Sequence, residues 1–309
     1  MKSNKTYLYF AILAALLVAA YYITSEKGDK TSSYELKEKK FFELDSAKVD
    51  KIEIKYNEGD LVLSKSSGEW KAVSPYDYRV VPSLVEKAIS SLKNFNLESI
   101  VSTNPSKRET YGFNDSNMAE ISVYEGGSLK GKFIIGGSAA GTSSHVKKID
   151  SDNIYIADNL DRTDFIKSSI NEWRDKNIVS IPKMAVNSVE FIFPDETFIA
   201  KKDTSGRFFI GTDSAGKNFD GILNLLEKFA TTDFKDSLLS EDTKFTDVIN
   251  IDWGNKTTFK FLKTETTPAK YLLKVEGDKQ LYELEEGYAK NLLKSKKEIL
   301  GQPGRPTTF

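Results

Sequence analysis

The chain has no cysteine and a single histidine in 309 residues. The first absence excludes a disulfide framework, thiolate metal sites, a cysteine nucleophile and a lipid-modified N-terminal cysteine. The second leaves any Ser-His-Asp relay with one candidate base, His145, and no Gly-x-Ser-x-Gly elbow accompanies it. The plainer reading is a surface or half-buried histidine on a strand. Without more nitrogen or any sulfur donors only an all-oxygen metal site stays open, and the acids at Asp150 and Asp152 lack calcium-loop spacing. No metal and no cofactor is expected. An excess of charge is also missing: 44 Lys and Arg stand against 45 Asp and Glu, a net charge of -1. No global field draws in nucleic acid, which is not expected as a partner.

What is present is the material for folding. Hydrophobic residues make up 39% and aromatics 12% of the chain, well above a disordered composition, and the length suggests about two domains. Each could bury a core of its own.

The first segment has its own character. Lys2 and Lys5 precede Tyr7 to Ile23, a run without charge and almost wholly apolar. It is just long enough for a bilayer, which takes ~17–25 helical residues, and Tyr7, Tyr9, Tyr21 and Tyr22 fall where interfacial rings sit. Residues 1–24 therefore read as a transmembrane anchor through residues 7–23, with the N-terminus in the cytoplasm and everything after it outside. The alternative is a cleaved signal peptide with Val18-Ala19-Ala20 as the small-residue site. Residues 25–45 read as a charged tether, with a short helix around Tyr34 to Phe42.

The rest of the chain repeats itself. Val49-Asp50-Lys51-Ile52-Glu53-Ile54 returns 137 residues later as Val186-Asn187-Ser188-Val189-Glu190-Phe191, and Leu61-Val62 falls on Phe198-Ile199. Gly68-Glu69-Trp70 matches Gly206-Arg207-Phe208, where a turn glycine returns an aromatic to the core. Leu84, Val85, Ala88, Ile89 and Leu92 keep helical spacing behind Pro82; Ile222, Leu225, Leu226 and Phe229 do the same in the second copy. Ile121-Ser122-Val123 then aligns with Ile249-Asn250-Ile251, Phe133 with Phe261, and Ile154-Tyr155 with Leu281-Tyr282. A closing helix is expected at Phe165-Ile166-Lys167-Ser168 and at Leu292-Leu293-Lys294-Ser295. The resulting expectation is an α+β fold: two tandem, sequence-related modules of antiparallel strands with packed helices, residues 46–182 and 183–300, after one N-terminal transmembrane helix. A flexible tail, 301–309, follows.

Two stretches invite chemistry. Gly136 to Ser144 is rich in glycine and could cradle a phosphate, but the next residues, His145-Val146-Lys147-Lys148-Ile149, alternate like a strand, so a hairpin loop is the better reading. Trp173-Arg174-Asp175-Lys176 places an aromatic beside an Arg fork and could anchor a partner; the competing reading is an Arg174 to Asp175 lock on the linker. Trp70, Tyr76 and Tyr78 could line a groove, although a tryptophan returning from a hairpin is most often core. The binding candidates are thus Trp70, Tyr76, Trp173 and Arg174, with no catalytic residue among them.

Trp70 with Pro75, Tyr111-Gly112-Phe113, Ile135-Gly136-Gly137, Ile154-Tyr155-Ile156 and Trp173-Arg174-Asp175-Lys176, behind a hydrophobic N-terminal span, resemble a bacterial family filed as domain of unknown function 4340. The resemblance covers most of the chain. It implies an extracytoplasmic companion of an ABC transporter, with permease or auxiliary subunits similar to those of gliding-motility transporters as partners, and it implies no activity. The second repeat departs from the pattern: it has no double glycine and no Arg-Asp-Lys run, and Phe245-Thr246-Asp247 stands in place of Tyr-Gly-Phe.

The function expected is therefore a noncatalytic, membrane-anchored accessory of an ABC-type transport system, a binding or scaffold protein, located at the cytoplasmic membrane with its modules in the periplasm or outside. An envelope scaffold unrelated to transport is the alternative. A cell-wall or glycan-acting enzyme is a third class, requiring a cleft with His145 or two facing carboxylates.

Overall fold

The computed structural model describes residues 12–18, 36, 38–57, 59–231, 233–236 and 243–301. Residues 12–18 form a helix, α1, of about two turns. The first folded unit contains β1 (Val49–Tyr56), β2 (Gly59–Ser66), β3 (Glu69–Ser74), β4 (Tyr78–Arg79), α2 (Pro82–Asn94), β5 (Asn96–Ser102), β6 (Ala119–Glu125), β7 (Ser128–Ser138), β8 (Ser144–Lys147) and β9 (Ile154–Asp158). Its strands make one nine-stranded sheet in the order β4-β3-β2-β1-β6-β7-β8-β9-β5. A linker strand, β10 (Asn177–Val179), leads to the second unit.

That unit contains β11 (Ser188–Ile192), β12 (Thr197–Lys202), β13 (Phe208–Ile210), β14 (Asp213–Ser214), α3 (Lys217–Glu227), β15 (Phe229–Ala230), β16 (Asp233–Lys235), β17 (Asp247–Asp252), β18 (Lys256–Lys263), β19 (Lys270–Val275) and β20 (Leu281–Glu285), followed by α4 (Glu286–Ala289) and α5 (Lys296–Ile299). The second sheet runs β14-β13-β12-β11-β17-β18-β19-β20-β16. The two orders are the same once β15, which pairs with β10 instead, is set aside. In each unit a helix carries the chain from one edge strand of the sheet to the opposite edge, before the next strand returns to the centre.

The registers repeat as well. Ile52 lies between Leu63 and Val123, and Val189 between Ala200 and Ile251. Ile54 lies between Leu61 and Ile121, and Phe191 between Phe198 and Ile249. Alternation along β1 explains this: Ile52 and Ile54 face the core while Lys51, Glu53 and Lys55 face outward. One alignment shifts. Phe133 stands opposite Ile121, whereas Ile249 faces Phe259, so Phe259 and not Phe261 takes Phe133's place. Of the two residues of shift, one comes from a register break between Val123 and Tyr124 in the first hairpin and one from its connection, which has four residues between Tyr124 and Leu129 against three between Asp252 and Lys256.

Each core fills the space between one sheet face and its helix. Helix α2 begins with Pro82 in its first turn and buries Val85, Ala88, Ile89 and Leu92, each large aliphatic contributing about 1.5–3 kcal/mol. Helix α3 buries Phe219, Ile222, Leu223 and Leu226. Phe95 stacks on Phe133 with ring centroids 5.9 Å apart, and Phe42 joins them at 5.7 and 6.1 Å. Gly131 makes room for that ring, since a Cβ there would stand 2.2 Å from Phe42.

The expected fold class requires correction. Of the described residues 41% are strand and 21% helix, so the chain is mostly two large sheets of antiparallel pairs and not the expected α+β fold. Among the described residues no helix is long and apolar enough to cross a membrane. The described part of α1, residues 12–18, covers about 10 Å at 1.5 Å per residue. The remaining residues of the expected 7–23 span, its tyrosines and most of the tether lie outside the described residues, as do 302–309 of the tail.

The closing helices also differ. Phe165 to Ser168 is not helical; 3-10 turns at Arg162–Asp164 and Ile170–Trp173 flank it. Leu292 to Ser295 separates α4 from α5, because Ser295 is the N-cap of α5 in a capping box with Glu298. Residues 38–42 of the expected Tyr34 to Phe42 helix are non-helical; Phe41 and Phe42 pack on the first core.

Candidate functional site

The seam between the sheets is built by the linker, which passes its hydrogen bonds from one unit to the next. Val81 N donates to Trp173 O and Asp175 N to Arg79 O, both at 2.9 Å, and Val80 bridges Arg174. A few residues later β10 pairs with β15, Thr231 N donates to Lys176 O, and Ile181 N donates to Leu226 O, each of the last two at 2.8 Å. The two sheets stay separate; the linker backbone joins them.

Arg174 is buried at 1% exposure and donates both Nη atoms to Asp236, at 2.7 and 2.8 Å. Such a planar fork fits a carboxylate in two bonds, which fixes orientation as well as distance. The guanidinium carbon lies 4.3 Å from the ring centre of Tyr78, 4.9 Å from Phe234 and 5.6 Å from Tyr76. Aromatic faces on a desolvated cation add to its hold. Burial pushes the Tyr78 phenol up to about 12, against the opposing pull of the Arg174 cation.

Arg79 forms a second tie. Its Nη2 donates to Asn177 O at 2.7 Å and to the Tyr282 hydroxyl at 2.8 Å, and that hydroxyl donates to Asp278 at 2.6 Å. Burial, reinforced by the Asp278 bond, raises the Tyr282 phenol. Lys279 meets Asp77 at 3.1 Å and Asn171 reaches Asp233 at 3.4 Å across the same line.

Two cavities open along this seam. One of about 680 Å³ lies beside β3, α2 and Asp175; another of about 460 Å³ lies between β4 and the Glu276–Gln280 turn. Lys71 and Arg79 line both. The volumes fall in the range of small-ligand sites.

Of the four candidates read from the sequence, Tyr76 and Arg174 come together at the seam, while Trp70 stands apart in the larger cavity, half-buried against the first core. Trp173 is fully buried in that core. The expected Arg174 to Asp175 lock is replaced by Arg174 to Asp236; Asp175 instead accepts from Asn177 N at 2.9 Å and stands 3.9 Å from Arg79. Sequence reading missed Arg79, Asp236, Asp278 and Tyr282. Asp236 meets Arg174 across 62 residues of chain and Tyr282 meets Arg79 across 203, beyond any local pattern; only the Tyr282 to Asp278 bond is local, four residues apart.

The glycine-rich stretch is a hairpin: Gly136 and Gly137 belong to β7, and His145 to β8. His145 Nδ1 lies 3.1 Å from Gly137 O, and its ring meets Tyr111 edge-on at 4.9 Å. Burial holds its proton affinity below the usual histidine value, with the Gly137 carbonyl acting against that. Among the described residues no group of three or more His, Cys, Asp or Glu could hold a metal ion.

No curated protein and no solved structure matches the chain. The model of one family, Domain of unknown function (DUF4340), matches residues 70–274, from Trp70 through the whole linker to β19, and the chain belongs to that family.

Proposed function

We propose that the protein is a noncatalytic binding accessory of an ABC-type transport system, acting outside the cytoplasm at the membrane. The observation that carries the binding role is the seam: two sheets of equal order are held by a shared linker, a buried Arg174–Asp236 fork and an Arg79–Tyr282 tie, with a trough along the join. A rigid double module with a groove at its join presents one continuous surface to a partner, and binding sites favour such joins. Family membership and the resemblance to transporter companions support the transport context. Lys2 and Lys5 ahead of the uncharged Tyr7 to Ile23 stretch support export.

The test is affinity purification of the full-length chain from mildly solubilised membranes, against a control lacking residues 1–24. Stoichiometric recovery of ABC permease and ATPase subunits is expected. Recovery of cell-wall material or other envelope proteins without any transporter subunit would overturn the transport reading in favour of an envelope scaffold.

A further inference from the structure

The three tryptophans of the chain are used differently. Trp173 is fully buried, and Trp253 donates its Nε1–H to Thr257 Oγ1 at 3.1 Å. Trp70 is half-buried: part of it lies against the first core, and the rest lines the cavity of about 680 Å³. Its Nε1–H, which can only donate, has no partner among the described residues and is not sealed from solvent. An indole thus offers the cavity both a ring and an unused donor.

Helix α2 supplies another wall. Glu86, Ile89, Ser90 and Lys93 recur every three or four residues, so they share one stripe of the helix, and all four line the cavity. Pro82 and Ile89 add apolar surface to that of Trp70.

The charges around this apolar surface select the ligand class. Lys65, Lys71, Lys93, Glu69 and Glu86 line the cavity, and none makes a salt bridge or side-chain hydrogen bond among the described residues. Arg79 and Asp175 line it too but are engaged at the seam. An ion of either sign would therefore meet like charge as well as opposite charge. A hydroxyl group both donates and accepts, so a neutral polyhydroxylated ligand can use the ammonium and carboxylate groups alike. The polarised C–H face of a pyranose ring also suits the electron-rich face of an indole. Lys71 and Arg79 are shared with the second cavity, which gives room for several rings in a row.

We propose that the cavity at Trp70 binds a neutral oligosaccharide, one pyranose ring lying on the indole and its hydroxyls bridging the free lysines and glutamates around it. The inference rests on the reading of the chain as a binding protein, and is independent of which assembly that protein serves.

The test titrates the full chain with chito-, cello-, malto-, xylo- and laminari-hexaose, reading affinity by calorimetry and the environment of Trp70 by fluorescence. At least one hexaose should bind, with an affinity little changed by salt because the ligand carries no charge. The tryptophan emission should shift to the blue on binding, and Trp70→Phe, which keeps a ring against the core, should abolish that shift. Trp70→Ala should weaken binding about tenfold or more. Glu86→Ala and Lys93→Ala, both exposed, should weaken it severalfold at an unchanged unfolding midpoint. Binding of none of the five sugars would overturn the proposal, as would binding that Trp70→Ala, Glu86→Ala and Lys93→Ala leave intact. Binding of polygalacturonate alone, lost at high salt, would also overturn it and make the cavity a site for anions. The copurification reads partners whatever fills the cavity, so failure here leaves the transport reading standing and failure there leaves this one.

Discussion

Gly112 rests directly on Gly137: a Cβ added at Gly112 would stand 2.4 Å from the Gly137 amide nitrogen. Gly112 also has φ of +79°, the left-handed conformation that ends the 3-10 turn Glu109–Tyr111. Gly136 is as tightly held, since its Cβ would come within 2.7 Å of Tyr111 O. The Tyr-Gly-Phe and Gly-Gly motifs are thus two sides of one backbone contact, which also seats Tyr111 on His145.

Replacing Gly112 with alanine is expected to destabilise the protein by about 2 kcal/mol or more, from left-handed strain plus a clash with backbone that cannot swing aside. Gly127→Ala is the comparison: its φ is +77° but nothing lies within 4 Å, so the strain alone, about 1 kcal/mol, remains. Denaturant midpoints at unchanged slope measure both. Equal losses would show that the close approach does not matter.

At the seam, Asp236→Asn leaves the Arg174 cation buried without its counter-ion and should cost about 3 kcal/mol. Adding Arg174→Met removes that stranded charge, so the double variant should lose clearly less than the sum of the single losses. A double-mutant cycle on unfolding free energy reads the coupling. Strict additivity would mean that the fork does not act as a unit.

The single histidine gives an unambiguous titration. Burial lowers the His145 proton affinity below the usual 6.5, so the unfolded chain takes up a proton first as the pH falls. The stability associated with a neutral His145 is therefore complete above 6.5 and is lost as the pH falls through the folded value. An NMR titration of the imidazole should show a midpoint below 6.5, and Tyr111→Ala, which uncovers the ring, should move it upward. A midpoint at or above 6.5 would contradict the burial.

Asp164, 3% exposed, accepts from Ser91 Oγ at 2.5 Å and meets Lys87 at 2.7 Å, tying α2 to the Arg162–Asp164 turn. Asp164→Ala should cost about 1–3 kcal/mol, the range for stranding a buried hydrogen-bonding group. If the tie is local, Ser91→Ala made in that background should add little, as thermal unfolding of the two variants will show.

Much of the architecture was legible because strand and helix patterns are local. Alternation placed Ile52 and Ile54 on a core face, helical spacing placed Val85, Ala88 and Leu92 on one stripe, and the recurrence of both placed Val189 and Phe191 in equivalent ladders. The capping box at Ser295 and Glu298 was equally local, and overlooking it misplaced the last helix. Of the candidate site, Trp70 and Tyr76 were legible as aromatics near a turn, whereas the cavity beside Trp70 depends on how β4 and α2 pack against β3.

By itself the sequence determined the repeat, the strand faces, the helix that crosses each sheet and the histidine's place on a strand, since each follows from side-chain period and turn chemistry within a few residues. Only the tertiary structure decided that Arg174 pairs with Asp236 instead of its neighbour Asp175, that Arg79 reaches Tyr282, and that β5 and β16 lie at the edges of their sheets far from the strands they precede. Those choices join residues tens to hundreds of positions apart. They are made by which packing leaves the fewest buried charges and backbone groups unpaired, a property of the folded whole that no short window of sequence contains.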